Sequence, residues 1–143
     1  MKSRIAITAV LSLVGILLSA APADAATSND EYTAEIIGYA SGIPFLVCQA
    51  HLNVRSSDGY VQGGFRSYDN TEVNLGIHRC IGWLERRSIK PGNSYGWTKV
   101  SNFYEVYNGS RWTGWHWNGD DAESRVCISD MDGPDAVCST GHW

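Results

Sequence analysis

Apolar and polar residues alternate with a period of two along most of the chain after residue 31. The alternation is clearest over residues 45–55, because successive side chains of a β-strand point to opposite faces. Further strands are predicted at residues 32–40, 60–67, 72–84, 97–100, 103–107, 111–117, 124–129 and 136–139. No segment sustains a helical period. The pattern therefore predicts a small all-β fold, either a barrel or a sandwich.

Glycine-containing pairs mark the points where predicted strands turn or bend. Asn108-Gly109 lies between two aromatic runs, which is the strongest sequence signal for a β-hairpin. Gly63-Gly64 interrupts a strand and indicates a bend or a bulge. Within the predicted strand 72–84, alternation places the following residues on one apolar side: Val73, Leu75, Ile77, Ile81 and Trp83.

The N-terminal segment has the layout of a secretory signal peptide. Lys2 and Arg4 begin it, an apolar or small run covers residues 5–21, and Ala23-Asp24-Ala25 is a small-x-small cleavage site. We therefore expect a secreted protein in which residues 1–25 are removed and residues 26–143 form a single all-β domain, with no membrane span after processing. An uncleaved membrane anchor is the alternative, although the apolar run is short for a span.

All four cysteines fall after the predicted signal peptide. An even number of cysteines in a small exported chain favours disulfides over a metal site, and the chain has no C-x-x-C motif. Of the three possible pairings we favour Cys48–Cys80 with Cys127–Cys138. The second bond would close a C-terminal hairpin through a turn at residues 130–134.

The charge balance restricts the class of partner. The whole chain carries a formal net charge of −4. Binding to nucleic acid or to anionic membranes requires a basic surface, so we expect neither as a partner.

Five short segments occur in the order seen in bacterial Src-homology-3-like domains of secreted proteins. They are residues 52–56 (LNVRS), 63–65 (GGF), 70–75 (NTEVNL), 96–100 (GWTKV) and 108–115 (NGSRWTGW). The chain resembles that family over about residues 47–117 and departs from it at residues 81–94, at residues 101–105 and after Trp115. The resemblance implies a small Src-homology-3-like barrel that holds cell-wall or peptide ligands in a groove lined by aromatic side chains.

Tryptophans near the end of this region are the main candidates for function. Trp115 and Trp117 alternate onto one face of the predicted strand 111–117, and Trp112 falls on the other. Because both faces of a strand cannot be exposed and apolar, we expect Trp112 in the core and the other two on an exposed platform suited to sugars or glycine-rich peptides. The alternative is that all three tryptophans pack internally. The predicted ligand-binding residues are Asn53, Tyr107, Trp115 and Trp117.

Metal binding and catalysis have weaker support in the sequence. Acidic residues cluster at 120–123 and 130–135, but their spacing fits no complete calcium loop. No nucleophile motif or metalloprotease pattern is present. An acid–base pair of His116 with Glu105 or Asp121 is one alternative, and a solvated histidine is the simpler interpretation. We therefore expect no enzymatic activity, no cofactor and no metal.

These observations predict a secreted, non-catalytic binding module. Its expected ligand is peptidoglycan or another extracellular glycan, or a secreted or surface protein. The alternative is a secreted protein inhibitor or toxin component that acts through protein–protein contact.

Overall fold

The structure is a computed structural model that describes residues 26–90, 92, 96–131 and 136–142. The predicted signal peptide lies outside the described residues. The described part contains a short 3-10 turn, Thr71–Val73, and thirteen β-strands. In chain order the strands are β1 (Ala26–Asn29), β2 (Thr33–Ala40), β3 (Ile43–Arg55), β4 (Tyr60–Ser67), β5 (Asp69–Asn70), β6 (Gly76–Ile77), β7 (Arg79–Ser88), β8 (Thr98–Lys99), β9 (Tyr104–Tyr107), β10 (Gly109–Trp112), β11 (His116–Trp117), β12 (Ala122–Asp130) and β13 (Val137–Cys138). The all-β prediction is confirmed.

Two antiparallel sheets hold most of these strands. The first sheet has the order β1-β2-β3-β4-β10, and β11 pairs with β4 beyond the end of β10. The second sheet has the order β13-β12-β7-β8, and β9 pairs with an earlier part of β7. Strands β5 and β6 pair separately. One core contains buried side chains from both sheets, so the sheets pack face to face in the manner of a β-sandwich.

The core follows from the alternation along the strands. Ala50, Leu52 and Phe65 supply it from the first sheet, and Leu84 and Val126 from the second; all are almost fully buried. These residues occupy every second position of their strands, which leaves the intervening positions for the outer faces. The finer prediction of a Src-homology-3-like barrel stays a prediction.

Both predicted disulfides are present. The inter-sheet disulfide Cys48–Cys80 joins β3 to β7 inside the core. The cross-strand disulfide Cys127–Cys138 joins a directly paired position of β12 and β13 and so closes the C-terminal hairpin. Disulfides persist in oxidising compartments, which places the folded chain in an extracellular or periplasmic environment. Among the described residues, no helix is both long and apolar enough to cross a membrane.

The strand predicted over residues 72–84 is wrong in its first half and in its buried side. The chain forms the 3-10 turn and β6 before β7 begins at Arg79. Cys80, Gly82 and Leu84 then face the core, whereas Ile81 and Trp83 take the alternate, partly exposed positions. The inter-sheet disulfide turns Cys80 inward, and Gly82 makes room for the Phe65 ring, because an added Cβ would lie 2.1 Å from Phe65 Cδ1.

Two turn predictions are also corrected. The register of β4 with β3 continues without a break through Gly63-Gly64, so the predicted bend or bulge is not in β4 itself, whereas β10 ends opposite Gly64. The Asn108-Gly109 turn does not close a hairpin. It takes the chain from β9 in the second sheet to β10 in the first, with a positive φ of 48° at Asn108.

Candidate functional site: a tryptophan face and an adjoining cleft

The outer face of the first sheet carries an exposed tryptophan above a glycine. His51 on β3 and Trp112 on β10 are both paired with Gly64 on β4, so the three residues share a face. The Trp112 ring covers Gly64, since an added Cβ there would lie 2.3 Å from Trp112 Cζ3. Trp112 nevertheless remains 49% exposed. The glycine therefore provides the space in which the indole lies against the sheet.

A second exposed tryptophan lies on the same face against an arginine. Arg55 Cζ is 4.7 Å from the centre of the Trp115 ring and 5.1 Å from that of Tyr60. Two hydrogen bonds to Asp58 orient the guanidinium, from Nε at 2.9 Å and from Nη2 at 2.8 Å. The hydrogen bond lowers the pKa of the Asp58 carboxyl and raises the pKa of Arg55. The cation is thus permanently charged and contacts both rings.

The prediction that Trp112 belongs to the core is wrong, because the chain is not a regular strand between Trp112 and Trp117. Trp112 pairs with Gly64 and Trp117 pairs with Tyr60. The two tryptophans are five positions apart in the sequence, whereas their partners on β4 are only four apart. The segment between the tryptophans therefore has one residue more than the facing part of β4 and forms a β-bulge there. The extra residue shifts the alternation. Both tryptophans consequently take the outer side of the sheet.

Thr113 holds this bulge. Its N–H donates to Gly63 O at 2.9 Å, and its hydroxyl accepts the Gly63 N–H at 3.0 Å. The Gln62 side chain donates to Thr113 O at 2.8 Å. The side chain of Thr113 thus substitutes for a backbone carbonyl in the ladder. Thr113 is buried as a result, although the sequence pattern places it beside Trp115 on the outer face.

Polar side chains surround the two rings. Gln49, His51 and Gln62 occupy alternate outer positions of β3 and β4. Tyr68 donates its hydroxyl to Gln49 Oε1 at 2.9 Å, and Arg66 Cζ lies 4.6 Å from the centre of the Tyr68 ring. We call this surface, with Trp112, Trp115, Arg55 and Tyr60, the tryptophan face. It contains a depression of about 230 Å³ lined by Gln49, His51, Gly64, Phe65, Arg66, Ser110 and Trp112.

The structure brings three of the four predicted ligand-binding residues together. Asn53 pairs with Gln62 on the tryptophan face, and Trp115 and Trp117 are exposed along the same edge of the sheet. Tyr107 is separate, because it lies on β9 in the second sheet and pairs with Arg79. It lines a different cleft of about 690 Å³, formed by residues 102–111.

Trp117 differs from the other two tryptophans in its surroundings. It is 56% exposed and lines a cleft of about 570 Å³ at the end of the second sheet. We call this the Trp117 cleft. It begins where the tryptophan face ends, at the corner between the two sheets.

Most of the acidic residues considered as calcium ligands have a basic side chain as a partner or lie outside the described residues. Asp132 and Asp135 belong to the latter group. The observed pairs are Asp121 with Lys90 at 2.9 Å, Glu123 with Arg87 at 2.6 Å and Asp130 with His78 at 2.5 Å. Neither carboxylate proposed for His116 is paired with it, since Glu105 binds Arg79 at 2.6 Å. The grouped atoms of Glu85, Cys127 and Cys138 do not form a metal site, because both sulfurs are in a disulfide.

Sequence reasoning missed Trp112, Arg55 and His51 as members of this surface. Arg55 and His51 alternate with the apolar residues of β3, which indicates an outer position but not which rings they meet. Gly64 is the one feature of the sequence that points to the position of Trp112, because a glycine within a strand often marks a place where another group lies close to the backbone.

The fold and this surface define the class as a disulfide-linked, antiparallel two-sheet protein with an exposed aromatic face. Searches of protein-family models, curated proteins and solved structures found no match to the chain.

Proposed function

We propose that the protein is exported and acts as a non-catalytic binding protein for an extracellular polysaccharide, such as that of a cell wall. The observation that carries the proposal is the exposure of Trp112 and Trp115 on one polar sheet face. A soluble protein seldom leaves large apolar side chains grouped at its surface unless the patch binds something.

The chemistry of the tryptophan face suits a sugar polymer. An indole ring covers the apolar face of a pyranose ring, and neighbouring amide, imidazole and guanidinium groups hydrogen-bond its hydroxyls. Here the two rings are held in place, one over Gly64 and the other against Arg55. Rings that are already positioned lose little conformational entropy on binding, which favours affinity from a small contact area.

Export is supported by two independent features. The first 25 residues have the pattern of a signal peptide, and the folded part contains two disulfides and no free cysteine. A binding protein outside the cell would meet polysaccharides directly.

The test is a binding assay with purified cell-wall polysaccharide and single variants of the mature chain. Trp112→Ala and Trp115→Ala are each expected to weaken binding about tenfold, which corresponds to ~1.4 kcal/mol of lost stacking. The matched control is Phe103→Ala. Phe103 is 60% exposed but contacts Trp83 of the second sheet.

Three outcomes of this assay are informative. Loss of binding in both tryptophan variants, with melting close to that of the parent, supports the proposal. Parental affinity in both variants contradicts it. Retention of the mature chain by a secreted or surface protein, with no retention by polysaccharide, would instead support the inhibitor or toxin alternative.

A further inference from the structure

The Trp117 cleft has an aromatic wall whose position is fixed by two contacts. The Trp117 ring lies beside Gly119, where an added Cβ would be 3.4 Å from Trp117 Cη2. Gly119 has a φ of 78°, a conformation that L side chains seldom adopt. On the other side, Arg86 Nη1 donates to Trp117 O at 2.8 Å. These contacts hold the backbone of Trp117 and one edge of its ring, and Trp117 lines the cleft.

The rest of the cleft lining carries hydrogen-bonding groups of both kinds. Lys90 Nζ lies 2.9 Å from Asp121 Oδ2, and Ile89 N–H donates to Asp121 O at 2.9 Å, so the end of β7 is joined to the start of β12. The Asp121 carboxylate raises the pKa of Lys90 by hydrogen bonding and by its charge. Ser88 and Thr98 also line the cleft. This part of the lining therefore offers ammonium and hydroxyl donors together with carboxylate acceptors.

The charges of the cleft balance. Arg86 and Lys90 supply two cations, and Asp120 and Asp121 supply two carboxylates. A strongly charged ligand would be attracted by one pair and repelled by the other. A neutral ring with many hydroxyls can hydrogen-bond to both kinds of group, since each hydroxyl both donates and accepts and the Lys90–Asp121 pair keeps further donor and acceptor positions.

We propose that the Trp117 cleft is a second sugar subsite, which binds one neutral saccharide unit of the same polymer where it passes the corner of the tryptophan face. This inference rests on the proposed function, because the polymer that occupies the tryptophan face is the source of the unit. Trp117 stacks on the sugar ring. Asp120 and Asp121 accept hydrogen bonds from its hydroxyls, and Lys90 and Arg86 donate hydrogen bonds to its oxygens.

Residue-specific NMR on the ¹⁵N-labelled mature protein tests the inference. The probes are two neutral tetrasaccharides, chitotetraose and cellotetraose, at millimolar concentration, together with tetragalacturonate as an anionic comparison. The Trp117 indole N–H signal is assigned from its loss in Trp117→Phe. We expect one of the neutral probes to shift this signal and the Gly119 amide signal, and tetragalacturonate to shift them less.

Variants then measure the contribution of each part of the lining. Trp117→Ala should weaken tetrasaccharide binding about tenfold, while Trp117→Phe retains most of the affinity because it keeps an aromatic surface. Asp120→Asn should also weaken binding. Its matched control is Glu72→Gln, an exposed carboxylate on the 3-10 turn that does not line the cleft.

The outcomes separate this inference from the proposed function. If neither neutral probe shifts the Trp117 and Gly119 signals while polysaccharide binding still depends on Trp112 and Trp115, the subsite is absent and the proposed function stands. A stronger response to tetragalacturonate than to the neutral probes would also overturn the inference. If the polymer does not bind but a neutral tetrasaccharide shifts the cleft signals, the cleft binds saccharide by itself, and the proposed function of the tryptophan face is wrong.

Discussion

Replacement of Gly64 by alanine is expected to displace Trp112 from the tryptophan face and leave the core intact. The new Cβ would lie 2.3 Å from Trp112 Cζ3, a separation at which one of the two groups has to move. Gly64 is fixed by the ladders to β3 and β10 on either side. Trp112 is half exposed, so its ring can turn into solvent. The side chain therefore moves, and the sheet does not.

The expected loss of stability is modest. A buried tryptophan covers roughly 200 Å², so a half-exposed ring covers about 100 Å². At ~25 cal/mol per Å² this area corresponds to at most ~2.5 kcal/mol, since the unfolded chain already covers part of it. Alanine regains ~0.5–1 kcal/mol relative to glycine in a strand. We expect Gly64→Ala to lower the free energy of unfolding by ~1–2 kcal/mol and to weaken polysaccharide binding as much as Trp112→Ala does.

Gly82→Ala is the matched control in the core. Its Cβ would lie 2.1 Å from Phe65 Cδ1, and Phe65 is only 1% exposed, so its ring cannot turn into solvent as that of Trp112 can. Overpacking of this kind costs ~1–3 kcal/mol or more, and the severity of this contact favours the upper end. Because Gly82 faces away from the tryptophan face, the folded fraction of this variant should bind with parental affinity.

Urea denaturation and polysaccharide binding on both glycine variants check the reasoning, and the Trp112 indole N–H signal reports the position of the ring. The expected pattern is a small loss of stability with lost binding for Gly64→Ala, and a larger loss of stability with retained binding for Gly82→Ala. The reasoning would be refuted if Gly64→Ala is folded, shows a moved Trp112 signal and still binds polysaccharide as tightly as the parent. In that case the position of the Trp112 ring over Gly64 would not matter for binding.

Three further outcomes are expected. Replacing both cysteines of a disulfide with alanine should lower the free energy of unfolding by ~3.7 kcal/mol for the inter-sheet disulfide and by ~2.8 kcal/mol for the cross-strand disulfide. The difference arises because the two bonds close loops of different length, with sequence separations of 32 and 11. Equal losses in urea denaturation would contradict this order. Hydrogen bonds from the Thr33 and Tyr32 N–H groups lower the pKa of Asp30, so the ionised carboxylate stabilises the folded protein. This contribution is complete above the unfolded-state pKa of 3.8 and is lost as the pH falls through the lower pKa of the folded state. Asp30→Asn should flatten the acid side of the Tm profile, and an unchanged profile would show that Asp30 is not responsible. Mass spectrometry of exported protein should find a chain beginning within a few residues of Ala26, whereas retention of Met1 would contradict the signal peptide.

Local patterns were sufficient to predict most of the strands and both disulfides. Strands β2, β3, β4 and β12 overlap their predicted ranges closely. The period-two pattern of β3 is the clearest of these, because one face of that strand is buried. The favoured cysteine pairing was also right. Cys127 and Cys138 are close in the sequence and form the cross-strand disulfide, and Cys48 and Cys80 are farther apart and form the inter-sheet disulfide.

Pairing between distant strands accounts for what was missed. Ile81 and Trp83 are larger and more apolar than Cys80 and Gly82, so alternation alone assigned the wrong side of β7 to the core. The correct side depends on Cys48 and Phe65, which reach it from the other sheet. Asn108-Gly109 likewise has the chemistry of a hairpin turn. The partners of β9 and β10 are β7 and β4, and no property of the turn itself selects them.

The candidate site shows the same dependence most directly. Trp112 and Trp117 share a side of the sheet only because Thr113 inserts one extra residue opposite β4, and a threonine between a tryptophan and a glycine is not by itself a bulge signal. The cost of this irregularity is small, since the threonine hydroxyl replaces the missing acceptor for the Gly63 N–H. Its consequence is large, because it moves an indole ring from the core side to the solvent side. A regular strand would place Trp112 and Trp117 on opposite sides of the sheet and leave a face with fewer aromatic groups. The bulge is therefore the feature of the backbone on which a binding surface with several tryptophans depends.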